Sequence, residues 1–208
     1  GHVISKKLKS EVETIKDTYQ RFTEGKEKKI AYLEYKLNED ADGFFSNLIE
    51  GEIELFDAYF VGYSVSKQNG KYLLDHYVKH LFLQVCTGSQ KSFFIDNEGS
   101  EYIFKAISSE EAEEKIVSML DIIRECAKTP FPFEINMAFA FNEEQDIDLR
   151  KLNNSWKDFR DGNPFTNKPP NIYAQKIFAD FEYDNELLAK FAELYRATVS
   201  EINELLQG

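Results

Sequence analysis

The sequence is poor in several features that would assign it to a class at once. Cysteine occurs only at Cys86 and Cys126, outside any C-x-x-C pair, which disfavours a disulfide framework or a zinc ribbon and is typical of a reduced cytosolic protein. Apolar runs are only a few residues long, far below the roughly 20 residues that cross a bilayer. No basic and apolar opening segment resembles a secretory signal. We therefore expect a cytoplasmic location.

Basic residues are also few. The chain has 25 Lys and Arg against 37 Asp and Glu, and its net charge is −12. A field of that sign repels phosphate, which disfavours a free-standing nucleic-acid binder. Basic residues are denser near the start of the chain, where Lys26, Lys28 and Lys29 form a candidate contact with DNA or a partner. The alternative is a set of lysines that only solubilise the end of a helix.

The apolar content is sufficient for a well-packed core, since 42% of the residues are apolar and 14% are aromatic. A length of 208 residues fits one domain. The first two residues, Gly1 and His2, resemble the scar of a cleaved expression tag. We therefore predict a single domain over residues 3–208, and we expect it to be the C-terminal fragment of a much longer subunit.

Hydrophobic periodicity predicts helices and strands in a mixed order. The predicted elements are, in chain order, an amphipathic helix ending near Gly25, a strand over 30–37, a short turn or helix over 41–48, strands over 49–55 and 59–66, a helix over 71–85, a hairpin of 92–96 and 101–107, a helix opened by a capping box of Ser108 and Glu111, a helix over 149–159, a breaker-rich loop over 161–171 and a helix over 185–206. This order predicts an α/β (α+β) fold, with a central mixed sheet flanked by helices and a mostly helical C-terminal tail.

The strands over 49–55 and 59–66 raise the question of a nuclease site. Metal-dependent phosphodiesterases need two carboxylates on the cation and a lysine beside them, and PD-(D/E)XK nucleases place one carboxylate and the lysine two residues apart on one strand face. Here Ser64 and Ser66 hold that spacing, whereas Lys67 is one residue out of step and points to the other face unless a bulge intervenes. With Glu54 alone in the place of the first carboxylate, these four positions are predicted to be the vestige of a lost site.

Two alternatives stay open: an active metal-dependent PD-(D/E)XK DNA nuclease with a rearranged site around Glu54, and an unrelated α/β partner-binding domain. In the first, Asp57 and a displaced carboxylate such as Glu34 would complete the metal site, because one carboxylate holds Mg²⁺ poorly. The simpler interpretation of Glu54 is a solvated glutamate that shares a strand face with Glu50 and Glu52.

Two further groups of residues are candidates for binding. His76 and His80 are four residues apart on the helix over 71–85; a zinc site needs a further protein ligand, so packing or exposed histidines are the simpler interpretation, and no metal or other cofactor is expected. The loop over 161–171 contains Asn163, Pro164 and Lys168, which we predict as possible contacts with a partner or DNA because long loops on rigid scaffolds often carry contacts. A plain surface connection is the alternative.

The motifs together resemble the C-terminal domain of RecC, the gamma chain of exodeoxyribonuclease V. The resemblance rests on the run LIEGEIELF…YSVSKQNGKYLLDHYVKHLFLQVCTG, followed in order by TPFPF over 129–133, SWKDF over 155–159 and PPNIYAQKIFADF over 169–181. No single motif is specific, but their order and spacing cover nearly all of residues 5–208.

The resemblance implies a PD-(D/E)XK-like fold without catalytic residues. It also implies a scaffold role for this domain at the end of a large subunit. That subunit would join the nuclease/helicase beta chain and the helicase alpha chain in a RecBCD-type DNA repair complex. DNA would be bound by the complex as a whole. The parent complex would be an ATP-dependent exodeoxyribonuclease and helicase that processes double-strand breaks, whereas this domain would be inactive by itself. The strong acidity departs from a DNA-binding role and suits protein partners better.

Overall fold

The computed structural model describes residues 2–37, 48–65, 70–88, 90–128, 149–182 and 206–207. The helices are α1 His2–Thr23, α2 Gly70–Thr87, α3 Ser109–Lys128, α4 Leu149–Asp161 and α5 Ile172–Ile177. The strands are β1 Lys28–Lys36, β2 Leu48–Phe56, β3 Tyr59–Tyr63, β4 Ser92–Ile95, β5 Glu101–Phe104 and β6 Leu206–Gln207. The chain divides into two compact units, Gly1–Asp121 with Ile202–Gly208 and Ile122–Glu201.

One mixed sheet organises the first unit. The strands lie in the order β1-β2-β3-β4-β5-β6, with β3 and β4 parallel and every other neighbouring pair antiparallel. This arrangement confirms the predicted α+β class with a mixed sheet. The predicted segment over 41–47 and the predicted helix over 185–205 lie outside the described residues, and the helical prediction is wrong at Leu206, which pairs with Phe104 of β5.

Strand β2 follows the alternation that its sequence predicts. It pairs with β1 over nine positions, and Ile53 and Leu55 are buried while Glu50 and Glu52 are exposed. Successive side chains of a strand point to opposite faces, so a strand with one polar face fits a sheet that is covered more fully on one side than on the other.

Strands β2 and β3 separate soon after the hairpin that joins them. They pair only at Leu55 with Phe60 and at Phe56 with Tyr59. The turn between them contains Asp57 at φ 54, whose carboxylate accepts the N–H of Glu27 at 3.0 Å. Beyond the turn β3 runs beside β4 instead, so a fork opens between β2 and β3.

Helices cover both faces of this sheet. On one face, α1 contacts β3 and β4, where Tyr19 and Phe22 pack on a buried cluster of Phe56, Val61 and Ile95. On the other face lies α2, which contacts β1 and β4 and buries most of its length, including Leu73, Tyr77, Leu81 and Leu83. None of the helices in the described ranges is long and apolar enough to cross a membrane.

The second unit contains α4 and α5 around one tryptophan. Trp156 is almost fully buried and packs against the rings of Phe159, Phe178 and Phe181. The sequence predicted no helix over the residues where α5 forms. The helix begins because the side chain of Asn171 accepts the N–H groups of Tyr173 and Ala174, which satisfies donors that a helix start leaves unpaired.

The capping role predicted for Ser108 at the start of α3 can be tested directly. The Ser108 hydroxyl accepts the N–H of Glu111 at 3.1 Å, so Ser108→Ala is expected to lower the free energy of unfolding by about 1 kcal/mol. The matched control is Ser118→Ala, because Ser118 is exposed within the same helix. Urea denaturation measures both variants, and an equal effect at the two positions would contradict a capping role.

Candidate functional site

The predicted site residues on β2 and β3 do not point to one place. Glu54 lies on the α1 face of the sheet, where it accepts a hydrogen bond from the Tyr19 hydroxyl at 3.3 Å. Ser64 continues the alternation of Gly62, whose neighbour is His76 of α2, and is therefore on the opposite face. Ser64 is buried, and its N–H is donated to the carbonyl of Ile95. Ser66 and Lys67 lie outside the described residues.

The carboxylate of Glu54 has local partners. One oxygen contacts the Lys28 ammonium at 2.6 Å and the other accepts the Tyr19 hydroxyl. Burial, together with the charge of Glu54 and its hydrogen bond, raises the pKa of Tyr19 to about 12. The tyrosine therefore stays protonated and acts as a hydrogen-bond donor to the carboxylate at neutral pH. Glu54 of β2 therefore forms an ion pair with Lys28 of β1 and a hydrogen bond with Tyr19 of α1.

The other carboxylates considered for a rearranged site do not converge on Glu54. Asp57 is held in the hairpin turn by its hydrogen bond to Glu27. Glu34 pairs in register with Glu50, four positions along from the pair of Ile30 and Glu54, which separates the two carboxylates by roughly 13 Å of strand. Across the part of the chain that the structure describes, no group of three His, Cys, Asp or Glu side chains is arranged to hold a metal ion.

The candidate lysines are separated by the sheet. Lys28 and Lys29 are consecutive in β1, so their side chains point to opposite faces, and Lys28 pairs with Glu54. The ammonium of Lys26 lies over the ring of Tyr59, 4.5 Å from its centroid. These three residues therefore do not form one patch.

The candidate loop is a tight, hydrogen-bonded turn. Asn163 and Lys168 form an isolated bridge, and the Asn163 side chain donates to Asp158 at 2.7 Å and accepts the N–H of Phe165 at 3.0 Å. These bonds give Asn163 a structural role. Pro164 and Lys168 are exposed, and Phe165 between them is 97% exposed. Phe165 was not among the contacts predicted from the sequence, although an aromatic residue inside a proline-rich loop is a usable signal for an exposed apolar side chain.

A cleft occupies the fork between β2 and β3. It has a cavity volume of about 200 Å³, and its lining includes Glu54, Gly62, Tyr63, Tyr72, Asp75 and His76. A wider groove of about 580 Å³ continues past Glu54 and Tyr63 along α1. The fork thus brings Glu54 of one sheet face close to side chains of α2, which the sequence did not predict.

Beneath the cleft, a chain of polar side chains is buried between α2 and the sheet. The Ser92 hydroxyl lies 2.9 Å from His76 Nε2 and 2.9 Å from His80 Nδ1. The Gln84 amide nitrogen lies 3.5 Å from the same His80 nitrogen. The spacing of His76 and His80 on α2 was noted in the sequence, and their burial agrees with the packing interpretation. Gln84, one further turn along the helix, was not predicted, although a third polar residue at this period within an apolar helix face was a usable signal.

Hydrogen bonds with Gln90 fix the orientation of the Gln84 amide. The amide donates to the carbonyl of Gln90 at 2.7 Å and accepts the Gln90 N–H at 2.9 Å. Its nitrogen also lies 3.4 Å from the carbonyl of His80. Ser92 has a single hydroxyl proton, so it donates to one histidine and accepts from the other. His76 Nδ1 forms no hydrogen bond within the described residues.

Both histidines are neutral at physiological pH. Burial holds the pKa of His76 well below its usual value of 6.5, and repulsion by His80 in its protonated form and by the Lys79 ammonium acts in the same direction. Burial also lowers the pKa of His80 to about 4, while a contact with the backbone of Lys105 that falls short of hydrogen-bond geometry acts in the opposite direction. Neither ring carries charge, which fits their place inside the core.

Gly62 is the residue that makes room for His76. A Cβ atom at this position would lie 2.4 Å from His76 Nδ1, which is closer than van der Waals contact allows. His76 is 2% exposed and stacks on the ring of Phe60 at a centroid distance of 4.5 Å, so it has little space to move. The absence of a side chain at Gly62 therefore determines the shape of the cleft floor.

Gly62→Ala tests this packing. It is expected to lower the free energy of unfolding by about 1–3 kcal/mol, as overpacking in a core does. Gly51→Ala is the matched control in β2, because a Cβ atom there would meet Phe82 at an ordinary 3.6 Å; its effect should stay within about 1 kcal/mol of zero. Equal losses in urea denaturation would show that Gly62 is not specifically constrained.

The depressed histidine pKa values predict how stability depends on pH. The unfolded chain binds protons at these histidines below pH 6.5 and the folded chain does not, so stability falls as the pH drops from 6.5 towards the folded value of about 4 for His80. The full loss from His80 alone is about 3 kcal/mol. Unfolding at pH 5 should take up about one proton at His80, and His80→Gln should remove that proton from the pH slope. If His80→Gln leaves the dependence of stability on pH unchanged, His80 is exposed to water in the folded protein.

The comparisons with known proteins agree with the resemblance noted in the sequence. No curated protein matches the chain. The family described as the RecC C-terminal domain matches residues 1–146, a span that contains α1 to α3, the five strands β1 to β5 and the cleft. This chain belongs to the RecC C-terminal domain family, which links it to RecBCD-type DNA repair complexes.

Proposed function

We propose that this chain is a non-catalytic interaction domain of a RecBCD-type helicase-nuclease that processes double-strand breaks in the cytoplasm. It forms one nuclease-like domain over residues 3–208 at the C-terminal end of a longer gamma subunit. Its partners are the nuclease/helicase beta chain and the helicase alpha chain, and the complex as a whole binds DNA. The domain needs no cofactor of its own.

The placement of Glu54 is the observation that supports an inert domain. Both of its carboxylate oxygens have partners, Lys28 and Tyr19, and Ser64 lies on the other face of the sheet. A metal-dependent phosphodiesterase needs carboxylates that converge on the cation. Asp57 and Glu34 do not converge on Glu54, and no group of three possible metal ligands lies within the described residues, which supports a domain without a hydrolytic cation site.

The order of elements supports the nuclease-like interpretation of the fold. From α1 to β4 the first unit runs helix, three strands, helix and strand, with β3 parallel to β4. Two antiparallel strands followed by a long helix over one sheet face is the arrangement in which PD-(D/E)XK nucleases keep their site. The order of elements in this chain matches that arrangement, which supports the nuclease-like interpretation.

Surface charge supports protein partners rather than direct DNA contact. The chain carries a net charge of −12, and the exposed part of the β1–β2 face displays Glu34, Glu50 and Glu52. Phosphate groups are repelled by such a surface. A protein partner is not repelled in this way, so the acidic face fits a role in assembly.

Cleavage of DNA separates this proposal from an active nuclease rearranged around Glu54. Linear single-stranded and double-stranded DNA should stay intact when the purified chain is added at high concentration with Mg²⁺ or Mn²⁺. Neither Glu54→Gln nor the control Glu52→Gln should change this result. Glu52 is the matched control because it shares the strand face of Glu54 but is exposed.

Cleavage that disappears in Glu54→Gln and persists in Glu52→Gln would establish the active nuclease instead. The complementary measurement is co-purification of the gamma subunit with its beta and alpha chains, with and without this domain. Equal recovery of the partners in both cases would remove the assembly role.

A further inference from the structure

Strand β1 ends the sheet, and the side chains along its outer edge complement those of a second copy of the same strand. We propose that two copies of this chain associate through this edge, with their β1 strands antiparallel and the two-fold axis at Ala31. The inference goes beyond the proposed function and does not depend on it.

The first support is the row of backbone groups at this edge. All nine residues of β1 pair with β2 on one side. In an antiparallel ladder, alternate residues direct their N–H and C=O groups towards the neighbouring strand, and the residues between them direct theirs away from it. The N–H of Asp57 is donated to the carbonyl of Glu27 at 2.8 Å, which shows that the odd-numbered residues face β2. The even-numbered residues therefore direct their backbone groups outward; they are Lys28, Ile30, Tyr32, Glu34 and Lys36.

The middle of this edge lacks the features that usually prevent two strand edges from pairing. Those features are short strands, bulges, prolines and charged side chains. Strand β1 is nine residues long and pairs with β2 without interruption, and residues 30–33 include no charge, proline or glycine. The outward carbonyl of Glu34 has a contact within the chain, the Cys86 thiol at 3.8 Å, which is a weak donor. This edge can therefore exchange hydrogen bonds with another strand.

The second support is the exposure of two apolar side chains on β1. Ile30 is 66% exposed and Tyr32 is 60% exposed. They lie on one sheet face, opposite Glu54 and Glu52 of β2. Removal of this apolar surface from water by a second copy would favour association.

Antiparallel pairing centred on Ala31 matches the edge with itself. It places Ile30 of one copy opposite Tyr32 of the other and Lys28 of one copy opposite Glu34 of the other, and the two-fold axis repeats both pairs. Directly opposite residues share a sheet face, and both aromatic–β-branched pairs and pairs of opposite charge stabilise a sheet. The exposed apolar residues and the charged residues thus find suitable partners in a single register.

Charge distinguishes this register from a neighbouring one. A shift of the centre to Tyr32 would place Lys28 opposite Lys36 and Ile30 opposite Glu34, which replaces both favourable pairs with unfavourable ones. The net charge of −12 opposes association in general. Strand β1 itself carries three lysines and one glutamate, so the excess of acidic residues lies away from the contact.

Sedimentation equilibrium of the 208-residue chain measures the association. A contact between two strand edges is smaller than the roughly 1,200–2,000 Å² of stable interfaces, so we expect a dissociation constant on the order of 0.1 mM. Ile30→Lys should weaken association roughly tenfold, because it replaces the apolar member of both symmetry-related pairs with a charge. The matched control is Ile177→Lys, which changes an isoleucine of α5 that is 59% exposed and should leave the dissociation constant unchanged.

Exchange of the charged partners tests the pairing of Lys28 with Glu34. Glu34→Lys brings two lysines together and Lys28→Glu brings two glutamates together, so each variant alone should associate more weakly than the unchanged chain. An equimolar mixture of the two variants should recover the association, because every lysine of one variant then faces a glutamate of the other.

Cross-linking tests the register, in a background of Cys86→Ser and Cys126→Ser. Across the axis, the two copies of Ala31 form a pair without hydrogen bonds, in which the Cα atoms are about 4.5 Å apart. A disulfide spans roughly 4.4–6.8 Å between Cα atoms, so mild oxidation should link Ala31→Cys into dimers. Leu33→Cys is the matched control on the same strand face, because its two copies would lie about 13 Å apart along the strands and should not be linked.

A chain that stays monomeric at millimolar concentration would overturn the proposal. So would equal weakening by Ile30→Lys and Ile177→Lys, a mixture of the charge variants that associates no better than either alone, or cross-linking of Leu33→Cys in preference to Ala31→Cys. None of these results bears on DNA cleavage or on recovery of the beta and alpha chains, so failure of this contact is distinguishable from failure of the proposed function.

Discussion

The hydroxyl of Ser92 is shared between two buried histidines, and the way α2 sits on the sheet depends on that shared hydrogen bond. Polar groups inside a core cost free energy unless they are paired. Ser92 pairs His76 and His80 at once, each at 2.9 Å, and so links the helix to the first residue of β4. The same contact turns the ring of His76 towards Gly62 and gives the cleft its floor.

Strand alternation decides the chemistry that the fork can perform. A site that hydrolyses phosphodiesters would need Glu54 and the side chains of β3 to meet on one face. The period of two places Glu54 on the α1 face and Ser64 on the α2 face, so restoring an acid at Ser64 would not by itself place two carboxylates together. The geometry of the strands, as well as the identity of the residues, separates this fork from a catalytic one.

Local patterns in the sequence predicted the elements whose causes are local. The alternation of β2, the hairpin of β4 and β5 and the cap at Ser108 each depend on residues a few positions apart, and all three are present. Features that depend on distant residues were not predictable in the same way. Leu206 was expected in a helix, and its strand pairing with Phe104 joins residues about a hundred positions apart. The turn that forms α5 was too short to show a helical period.

The candidate site shows the same division between local and distant causes. The sequence identified Glu54 and the two serines by their spacing, and it identified Lys28 as a possible contact. It could not show that Lys28 and Glu54 would neutralise each other, because the pair exists only once β1 lies beside β2. Likewise, the burial of His76 on α2 depends on Gly62 of β3 and Ser92 of β4.

The brief pairing of β2 with β3 has a mechanical consequence. Among the described residues, two residue pairs join the β1–β2 ribbon to β3, so these backbone hydrogen bonds alone would leave the sheet hinged at the Asp57 turn. Helix α2 contacts β1 on one side of this hinge and β4 on the other, and it therefore restricts movement of the two halves of the sheet relative to each other. A force applied to the acidic β1–β2 ribbon would be transmitted through α2 to the far strands.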